Sequence, residues 1–509
     1  MTTQTYKPAT PETLAALYTN MGNHFVLLYP KLQNAVAVIK ALQQRQNKTE
    51  EETFALDLYE LLAFAVTVNL DIATFFRAEL RSEHPNEKRV NIRYVNVTVI
   101  EGYKYLSALH KKDRDNAKWT KFKSIASALN NQEINDDIAV FDKVLDEFKK
   151  QFITKNNNGK LMDIDNRNLA IHYDKDPFKV YEYYQSLSED VEAKRVNKFL
   201  ELIDKLVCFL SKYLNRIKIE LKTNVIPTST NLPLLEQINV FTPDIHNFFD
   251  SLGKSIEIYS KNLDKMVHIR KMQNDFAERV NDKFGIDKIA LTKNIEAIID
   301  DMKPGILVLL IYLDLCSAIR AYLSSESYCE KQLNLRHIEV IVYEGCRHLY
   351  GFDEKQREKS FWQTKLLPAL HNSNDEGIKK LLTEIQEGLE KISSDNTINN
   401  TILRECFVHY RYMNRDNVVT LFEESEKSVA IFELNKAVLL LKILPRVLNI
   451  NEITIQQKHQ DIKEQSKRTQ EEFIEILRMP LNKITDPHKK KEFEEKLHQI
   501  ISIHNKFLS

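Results

Sequence analysis

The sequence predicts an all-α protein made of two tandem helical bundles related by an internal duplication, followed by a helical C-terminal tail. Glycine, which tight connections between strands use, makes up only 10 of the 509 residues, whereas its usual share is about 7%. Apolar residues recur at helical spacing behind polar caps. Residues 243 positions apart are identical at many places along a long stretch of the chain. The first two observations favour helices, and the third predicts two copies of one unit.

Two helix starts are marked by local signals. Thr10, Pro11 and Glu12 predict the start of a first helix, with proline at the first helical position, where it gives up no hydrogen bond. Thr49 and Glu52 have the spacing of a capping box, in which each side chain bonds the backbone of the other residue. Apolar residues follow this box at helical spacing: Leu56, Leu58, Leu61, Leu62 and Phe64.

The internal repeat is visible as a constant offset. The pairs that differ by 243 are Asp71 and Asp314, Arg77 and Arg320, Leu80 and Leu323, Ser82 and Ser325, Glu87 and Glu330, Lys88 and Lys331, Asn91 and Asn334, Arg93 and Arg336, Glu101-Gly102 and Glu344-Gly345, and Trp119 and Trp362. Both tryptophans of the chain therefore stand at corresponding positions. Two such copies can pack about a pseudo-two-fold axis, as the subunits of a homodimer do.

Four segments follow from the repeat and from composition. We expect the first copy at residues 1–224, a linker rich in proline and short polar residues at 225–246, the second copy at 247–450 and a charged tail at 451–509. The tail is predicted to be a solvated helix. The alternative is an arm that binds a regulatory protein partner.

One short motif occurs in both copies. Arg167 to His172 and Arg404 to His409 each read as arginine, four residues and histidine, and a tyrosine follows each histidine, Tyr173 and Tyr410. The two histidines differ by 237, so the second copy is six residues shorter between its tryptophan and its arginine, where a loop is expected near residues 156–159. Arginine can hold a phosphate and histidine can move a proton, which are two requirements of RNA cleavage. The tyrosines are predicted to be packing residues.

The second position of the motif distinguishes the two copies. On a helix, residues five apart point about 140° away from each other, whereas residues four apart share a face. Asn168 therefore shares a face with His172, and Glu405 shares one with His409. A carboxylate one turn from a histidine favours the charged form of the imidazole. We expect Arg167 and His172 to be the first candidates for the catalytic pair.

These motifs resemble the signature of the HEPN superfamily (higher eukaryote and prokaryote nucleotide-binding domains), which is arginine, a polar residue, three others and histidine. The first copy has the full pattern, and the second departs from it at Glu405, where the family usually has Asn, His or Asp. The resemblance covers the motif and its helical context. It implies a metal-independent endoribonuclease that needs no cofactor, often a toxin or an antiviral defence effector, with one composite active site formed by two HEPN domains.

The resemblance assigns the catalytic residues. They are Arg167, Asn168, His172, Arg404, Glu405 and His409. A histidine would act as general base on a ribose 2′-hydroxyl or as general acid on the leaving 5′-oxygen, and arginine would stabilise the charge that develops on the phosphate. Cleavage of RNA would then leave a 2′,3′-cyclic phosphate and a 5′-hydroxyl.

Residues that contact single-stranded RNA are predicted from basic stretches with an aromatic residue among them. They are Arg93, Lys118, Trp119, Lys121, Arg336, Arg411 and Arg415. The alternatives are a solvated loop around Trp119 and surface ion pairs for Arg93 and Arg336. Asp71 and Asp314 lie in apolar helices, where a charge needs a partner. Each is expected to bond an arginine, or else to align the motif.

Composition limits the remaining function classes. The chain has 72 basic and 72 acidic residues, so no overall charge attracts it to a polyanion, and a selected RNA substrate is expected. No phosphate-binding glycine loop, zinc spacing or nucleophile elbow appears. The main alternative is a non-catalytic helical module that binds RNA or protein through a degenerate HEPN pair, which Glu405 makes more credible for the second copy.

A cytoplasmic location without membrane contact is expected. The N-terminus has no basic region followed by an apolar one. The most apolar run, Ile306 to Cys316, is about half the length of a transmembrane helix and contains Asp314. The five cysteines have no paired or metal-type spacing, which is typical of reduced thiols in a cytosolic protein. The oligomeric state is left open.

Overall fold

A computed structural model of the chain describes residues 11–107, 117–153, 173, 176–187, 189–216, 245–284, 288–370, 374–394, 419, 434–457, 491 and 495. Within these ranges the regular elements are all helices, and no strand occurs. The predicted all-α class is therefore confirmed. Most of the predicted linker lies outside the described residues, as do the predicted loop at 156–159 and most of the predicted tail.

The helices fall into two groups along the chain. The first half contains α1 (Pro11–Gln43), α2 (Glu50–Arg81), α3 (Pro85–Ser107), α4 (Lys118–Ala128), α5 (Gln132–Phe152), α6 (Pro177–Ser186) and α7 (Glu189–Leu214). The second half contains α8 (Ile245–Phe284), α9 (Lys288–Leu323), α10 (Tyr328–Leu349), α11 (Glu354–Arg357), a π-helical turn (Trp362–Leu366) that continues into α12 (Leu367–Leu370), α13 (Glu376–Ser393) and α14 (434–457). Helix α14 runs through residue 450, so the predicted end of the second copy falls inside a helix.

The predicted helix start at Thr49 is confirmed. Helix α1 is described from Pro11, and Thr10 lies outside the described residues. At the start of α2 the Thr49 hydroxyl accepts a hydrogen bond from the Glu52 backbone N–H at 3.1 Å, and the Glu52 carboxylate accepts one from the Thr49 backbone N–H at 3.0 Å. Helix α10 uses a related cap, because the Ser327 hydroxyl accepts from the backbone N–H of Glu330. Each cap satisfies a backbone donor that has no partner within its helix.

The core is centred on α2 and α3 of the first half and on α9 and α10 of the second half. Two glycines allow these helices to approach closely. A methyl group on Gly102 of α3 would lie 2.9 Å from the Phe199 ring, and one on Gly345 of α10 would lie 2.9 Å from the Ile311 side chain. Neither distance is tolerable for a real methyl group, so the repeated Glu-Gly pair marks two places of tight helix packing.

The two halves are joined by buried arginine–carboxylate pairs. Arg77 of α2 donates to Glu330 of α10 at 2.9 Å and to Glu326 at 2.6 Å. In the opposite direction, Arg320 of α9 donates to Glu87 of α3 at 3.0 Å and to Glu83 at 2.9 Å. Every residue in the first set corresponds to a residue in the second set at an offset of 243. The same contacts therefore form twice with the roles of the halves exchanged.

Three described helices are long and apolar enough to cross a membrane: Leu14–Gln43, Glu50–Arg81 and Asp300–Leu323. The third helix is longer than the run Ile306 to Cys316 that the sequence marks as most apolar. The length of that run is therefore an underestimate of the length of the apolar helix that contains it. In each of the second and third helices, 89% of the most apolar stretch of 18 residues is buried inside the protein. In the first helix the corresponding share is 39%. Burial inside the fold accounts for the apolar character of these two helices.

The ion pairs across the halves predict unequal effects of neighbouring substitutions. Glu330→Gln should lower the free energy of unfolding by about 3 kcal/mol, because it removes the charge of a carboxylate that is 0% exposed and bonds Arg77 and Arg81. Glu87→Gln, at the corresponding position of the first half, should lower the free energy of unfolding by a similar amount. Glu326→Gln changes a side chain that is 63% exposed, and its effect should stay below about 1 kcal/mol.

Urea unfolding of the three variants and the unaltered chain measures these differences. Equal small losses in all three variants would show that the buried pairs do not hold the halves together.

Candidate interdomain site

The predicted catalytic residues lie outside the described residues. They are Arg167, Asn168, His172, Arg404, Glu405 and His409. Tyr410, Arg411 and Arg415 also lie outside the described part of the chain. Tyr173, which directly follows His172 in the chain, is described, and its surroundings show what the end of the first motif contacts.

Tyr173 is bonded to the opposite half of the molecule. Its ring is buried, as expected for a packing residue. Its hydroxyl donates a hydrogen bond to the Asp314 carboxylate of α9, with the two oxygens 2.5 Å apart. The residue next to His172 in the first half is therefore attached to the second half.

Asp314 is fully buried and has two further partners. An Arg93 guanidinium nitrogen of α3 lies 2.7 Å from Asp314 Oδ2. The Tyr184 hydroxyl of α6 lies 2.9 Å from Oδ1 and 3.0 Å from Oδ2. Burial raises the pKa of Asp314, whereas the charge of Arg93 and the hydrogen bonds from Tyr173 and Arg93 act in the opposite direction. We call Asp314, Arg93, Tyr173 and Tyr184 the Asp314 cluster.

A corresponding pair lies on the other side of the interface. Arg336 of α10 donates to the Asp71 carboxylate of α2, and both side chains are buried. Arg93 and Arg336 differ by 243, as do Asp71 and Asp314. The expectation that each aspartate bonds an arginine is confirmed. In both cases the arginine comes from the other half.

These pairs correct the prediction that Arg93 and Arg336 contact RNA. Arg93 is 1% exposed and Arg336 is 4% exposed. Both guanidinium groups bond a buried carboxylate. The surface ion pairs considered as the alternative are likewise replaced by buried ones, because the apolar helices α2 and α9 place their aspartates inside the protein, where a charge must be paired.

Lys118 and Trp119 also differ from the prediction of an RNA-binding surface. The Trp119 ring is buried against Phe122, and its indole N–H donates to Asp142 at 2.8 Å. The Lys118 ammonium lies 2.7 Å from Asp57 and also bonds Glu60. Helix α4 therefore turns these residues toward the core. Lys121 is exposed, and its contact with RNA stays a prediction.

Tyr94 and His337 meet at the centre of the interface. These residues differ by 243, and their ring centroids lie 3.6 Å apart. Contact between residues at corresponding positions is what the predicted pseudo-two-fold packing would require of residues on its axis. His337 is buried, and within the described structure neither of its ring nitrogens has a hydrogen-bond partner. Burial, and then the charges of Arg93 and Arg336, hold the pKa of His337 well below its usual value.

A cavity of about 180 Å³ lies between the halves. It is lined by Ala78, Arg81, Glu87, Phe249, Arg320, Ala321 and Ser324. Both arginines are engaged, because Arg81 bonds Glu330 and Arg320 bonds Glu87 and Glu83. Their charges are therefore balanced by carboxylates of the opposite half.

Sequence reasoning missed two members of the interface. Tyr184 has no tyrosine counterpart at an offset of either 243 or 237, so the repeat gives no signal for it. His337 corresponds to Tyr94, which is a different residue type. A comparison that looks for identical residues 243 positions apart therefore does not find the Tyr94–His337 pair. Leu333, Val340 and Ile341 lie three or four positions from His337 along α10, which is the spacing of one helix face. This pattern of apolar residues predicts that His337 faces the core.

The described part of the chain holds no group of three or more His, Cys, Asp or Glu residues arranged to bind a metal ion. Cys208, Cys316, Cys329 and Cys346 are free thiols. Comparisons with protein-family models, with curated proteins and with solved structures found no match.

The buried His337 predicts that acid weakens the fold. Below about pH 6.5 the unfolded chain takes up a proton at this residue, whereas the folded protein does not, because its pKa is lowered. The unfolded state then binds more protons, so stability falls with decreasing pH by up to about 1.4 kcal/mol per pH unit. His337→Phe keeps an aromatic ring against Tyr94 and Phe75. It should remove the part of the pH dependence of stability that His337 causes.

The measurement is urea unfolding of both proteins between pH 7 and pH 5. His268→Gln, at an exposed position, tests whether loss of any histidine gives the same result. Identical slopes for the unaltered chain and His337→Phe would mean that His337 is protonated in the folded protein.

Proposed function

We propose that this chain is a metal-independent endoribonuclease of the HEPN type, with one composite site formed by two motifs from an internally duplicated chain. The observation that carries the proposal is the hydrogen bond from Tyr173 to Asp314. It attaches the end of the first Arg-x4-His motif to the opposite half. A site composed of two copies requires each motif to lie at their interface, and Tyr173 lies there.

The reciprocal contacts support the proposed duplication. Arg77 and Glu330 repeat the pairing of Arg320 and Glu87, and Arg336 and Asp71 repeat that of Arg93 and Asp314. Two unrelated helical bundles would have no reason to exchange the same bonds in both directions. A duplicated unit packed about a pseudo-two-fold axis would form every contact twice.

The proposed reaction uses the RNA's own 2′-hydroxyl as nucleophile. One motif histidine takes the proton of this hydroxyl as its oxygen bonds the phosphorus, and the other histidine gives a proton to the 5′-oxygen as the P–O5′ bond breaks. Arg167 and Arg404 stabilise the negative charge that builds on the phosphate. The products are a 2′,3′-cyclic phosphate and a 5′-hydroxyl, and no metal enters the reaction.

The same proposal places the enzyme in the cytoplasm as a toxin or antiviral defence effector. The four described cysteines are free thiols. Two of the three apolar helices are mostly buried in the fold. The chain has equal numbers of basic and acidic residues, 72 of each, so it has no net charge that would attract nucleic acid in general. This balance favours an enzyme that acts on a selected single-stranded RNA. The C-terminal tail, residues 451–509, is proposed to bind a regulatory protein partner.

A second function is favoured by one observation. Arg93, Arg336, Lys118 and Trp119 are buried, so four of the seven residues expected to contact RNA are engaged inside the protein. The alternative is a non-catalytic helical module that binds RNA or protein through a degenerate HEPN pair, and a module that binds protein would have no need of these four residues. Cleavage activity separates the two functions.

The test is digestion of a labelled single-stranded RNA in the presence of EDTA. Arg167→Ala and His172→Ala should each lower the cleavage rate by about 100-fold or more, because each removes a group that acts on the phosphate or on a transferred proton. Arg404→Ala and His409→Ala should also lower it. The products should carry cyclic phosphates, and the corresponding DNA should stay intact.

His268→Ala, at an exposed position of α8, serves as the control for loss of a histidine. If all four motif variants keep the activity of the unaltered chain, the motifs are not the active site. If the unaltered chain binds RNA or a protein without cleaving RNA, the interaction module is the better description.

A further inference from the structure

The cavity between the halves lies where corresponding positions of the two halves meet. Ala78 of α2 and Ala321 of α9 both line it, and these residues are 243 positions apart. Arg81 and Ser324 also line it and have the same offset. Both halves therefore form the wall, but they do not contribute equally. The first half supplies a guanidinium group where the second half supplies a hydroxyl group.

Each arginine of the cavity bonds a carboxylate of the opposite half, but one buried carboxylate serves two arginines. Glu330 is 0% exposed and bonds both Arg77 and Arg81. The other buried carboxylate, Glu87, bonds Arg320 at 3.0 Å. Three arginine side chains, none more than 18% exposed, thus share two buried carboxylates. The excess positive charge is that of Arg81, because Arg77 and Arg320 correspond to each other and Arg81 has no arginine counterpart.

Exposed carboxylates compensate this charge only weakly. Glu83 bonds Arg320 but is 71% exposed, and Glu326 bonds Arg77 but is 63% exposed. Ion pairs with such exposed groups contribute little to stability, because water competes for them. Burial also lowers the pKa of Arg81, which is the direction expected for a cation with too little compensation. An anion in the cavity would supply the missing negative charge.

Both arginines of the cavity have donors left for such an anion. A guanidinium group has five N–H donors. Within the described structure Arg81 makes four hydrogen bonds and Arg320 makes three. One N–H group of Arg81 and two of Arg320 therefore remain for a ligand that carries oxygen acceptors.

The cavity also has apolar walls. The Phe249 ring lies over the Arg320 guanidinium group, whose central carbon is 4.0 Å from the ring centroid. The side chains of Ala78 and Ala321 are methyl groups. The volume of about 180 Å³ is slightly larger than the roughly 150 Å³ of an engineered cavity that holds benzene. A ligand with about the size of one aromatic ring therefore fits.

We propose that this cavity binds a small organic monocarboxylate, with the carboxylate on Arg81 and Arg320 and the apolar body against Phe249. Carboxylate and guanidinium groups are both planar and can form two parallel hydrogen bonds. One negative charge matches the one excess arginine. The ligand would contact both halves and would therefore stabilise their relative position. This site does not depend on the proposed ribonuclease activity.

The experiment titrates the full-length chain with benzoate, benzamide and inorganic phosphate, followed by calorimetry at constant ionic strength. Benzoate and benzamide have the same shape and differ in charge, so their comparison tests the role of the excess arginine. Phosphate is an anion without an apolar body, so it tests the role of the apolar walls. Urea unfolding with and without benzoate tests whether the ligand stabilises the folded chain.

Two variants change the cavity itself. Arg81→Gln removes the excess charge and leaves Glu330 bonded to Arg77, whereas Ala78→Leu fills the space. The matched controls are Arg216→Gln, at a side chain that is 52% exposed, and an alanine on the exposed face of α1, Ala16→Leu.

We expect benzoate to bind with a Kd of about 1 mM or tighter, which is within reach of a ligand of this size. Benzamide should bind at least about tenfold more weakly, since it lacks the charge. Arg81→Gln and Ala78→Leu should each weaken the binding of benzoate by about tenfold or more, through lost charge and lost space respectively. The two controls should bind benzoate as the unaltered chain does, and benzoate should raise the urea midpoint.

The unaltered chain alone can overturn the proposal. If it binds benzoate no better than benzamide, or does not bind benzoate, the cavity is not a carboxylate site. Tighter binding of phosphate than of benzoate would show that the ligand class is wrong. Full affinity for benzoate in folded Ala78→Leu would place the binding outside this cavity and would also contradict the proposal.

Discussion

Buried pairs of arginine and carboxylate across the two halves determine how the rest of the molecule is arranged. Arg77 meets Glu330, Arg320 meets Glu87, and Arg93 and Arg336 each meet an aspartate of the opposite half. A charge left without a partner in the interior is strongly unfavourable. Two of the pairs join α2 to α10 and the other two join α3 to α9, so sliding one of these helices along its partner by one turn, about 5.4 Å, would separate two pairs at once. The pairs therefore select one relative position of α2, α3, α9 and α10.

A site formed between the halves requires a fixed relative position of the helices α2, α3, α9 and α10. A composite site needs groups from both copies to be held within a fraction of an ångström of the productive geometry. Tyr173 gains this precision because its partner, Asp314, is already fixed by Arg93 and Tyr184. The same bonds that join the halves also hold Tyr173, the residue that follows the first motif in the chain. Stability and the position of Tyr173 therefore depend on one set of contacts.

Local spacing allowed the sequence to predict part of this structure. The capping box at Thr49 depends only on neighbouring residues, and it is confirmed. The arginine partners of Asp71 and Asp314 were expected because a charge in an apolar helix needs one. The burial of Lys118 and Trp119 was not predicted, because their partners Asp57 and Asp142 are distant in sequence. A run of lysines around a tryptophan does not reveal which face of its helix meets the core. The duplication and the nuclease site stay predictions.

A single chain also permits a division of roles that two identical subunits would not. In a homodimer the residue on the axis meets its own copy, whereas here Tyr94 meets His337. If the chain arose by the proposed duplication, its two copies were free to differ, as Asn168 and Glu405 also do. Under the proposed mechanism this asymmetry has a use. If the motifs are helical, as the sequence predicts, Glu405 lies one turn from His409, where a carboxylate would favour the charged imidazole, which suits a general acid. The corresponding residue of the first motif, Asn168, is a neutral amide, which would leave the His172 imidazole free to act as the base. On this reasoning Glu405 is a specialisation of the second motif for proton donation, and its departure from the family pattern does not imply loss of function.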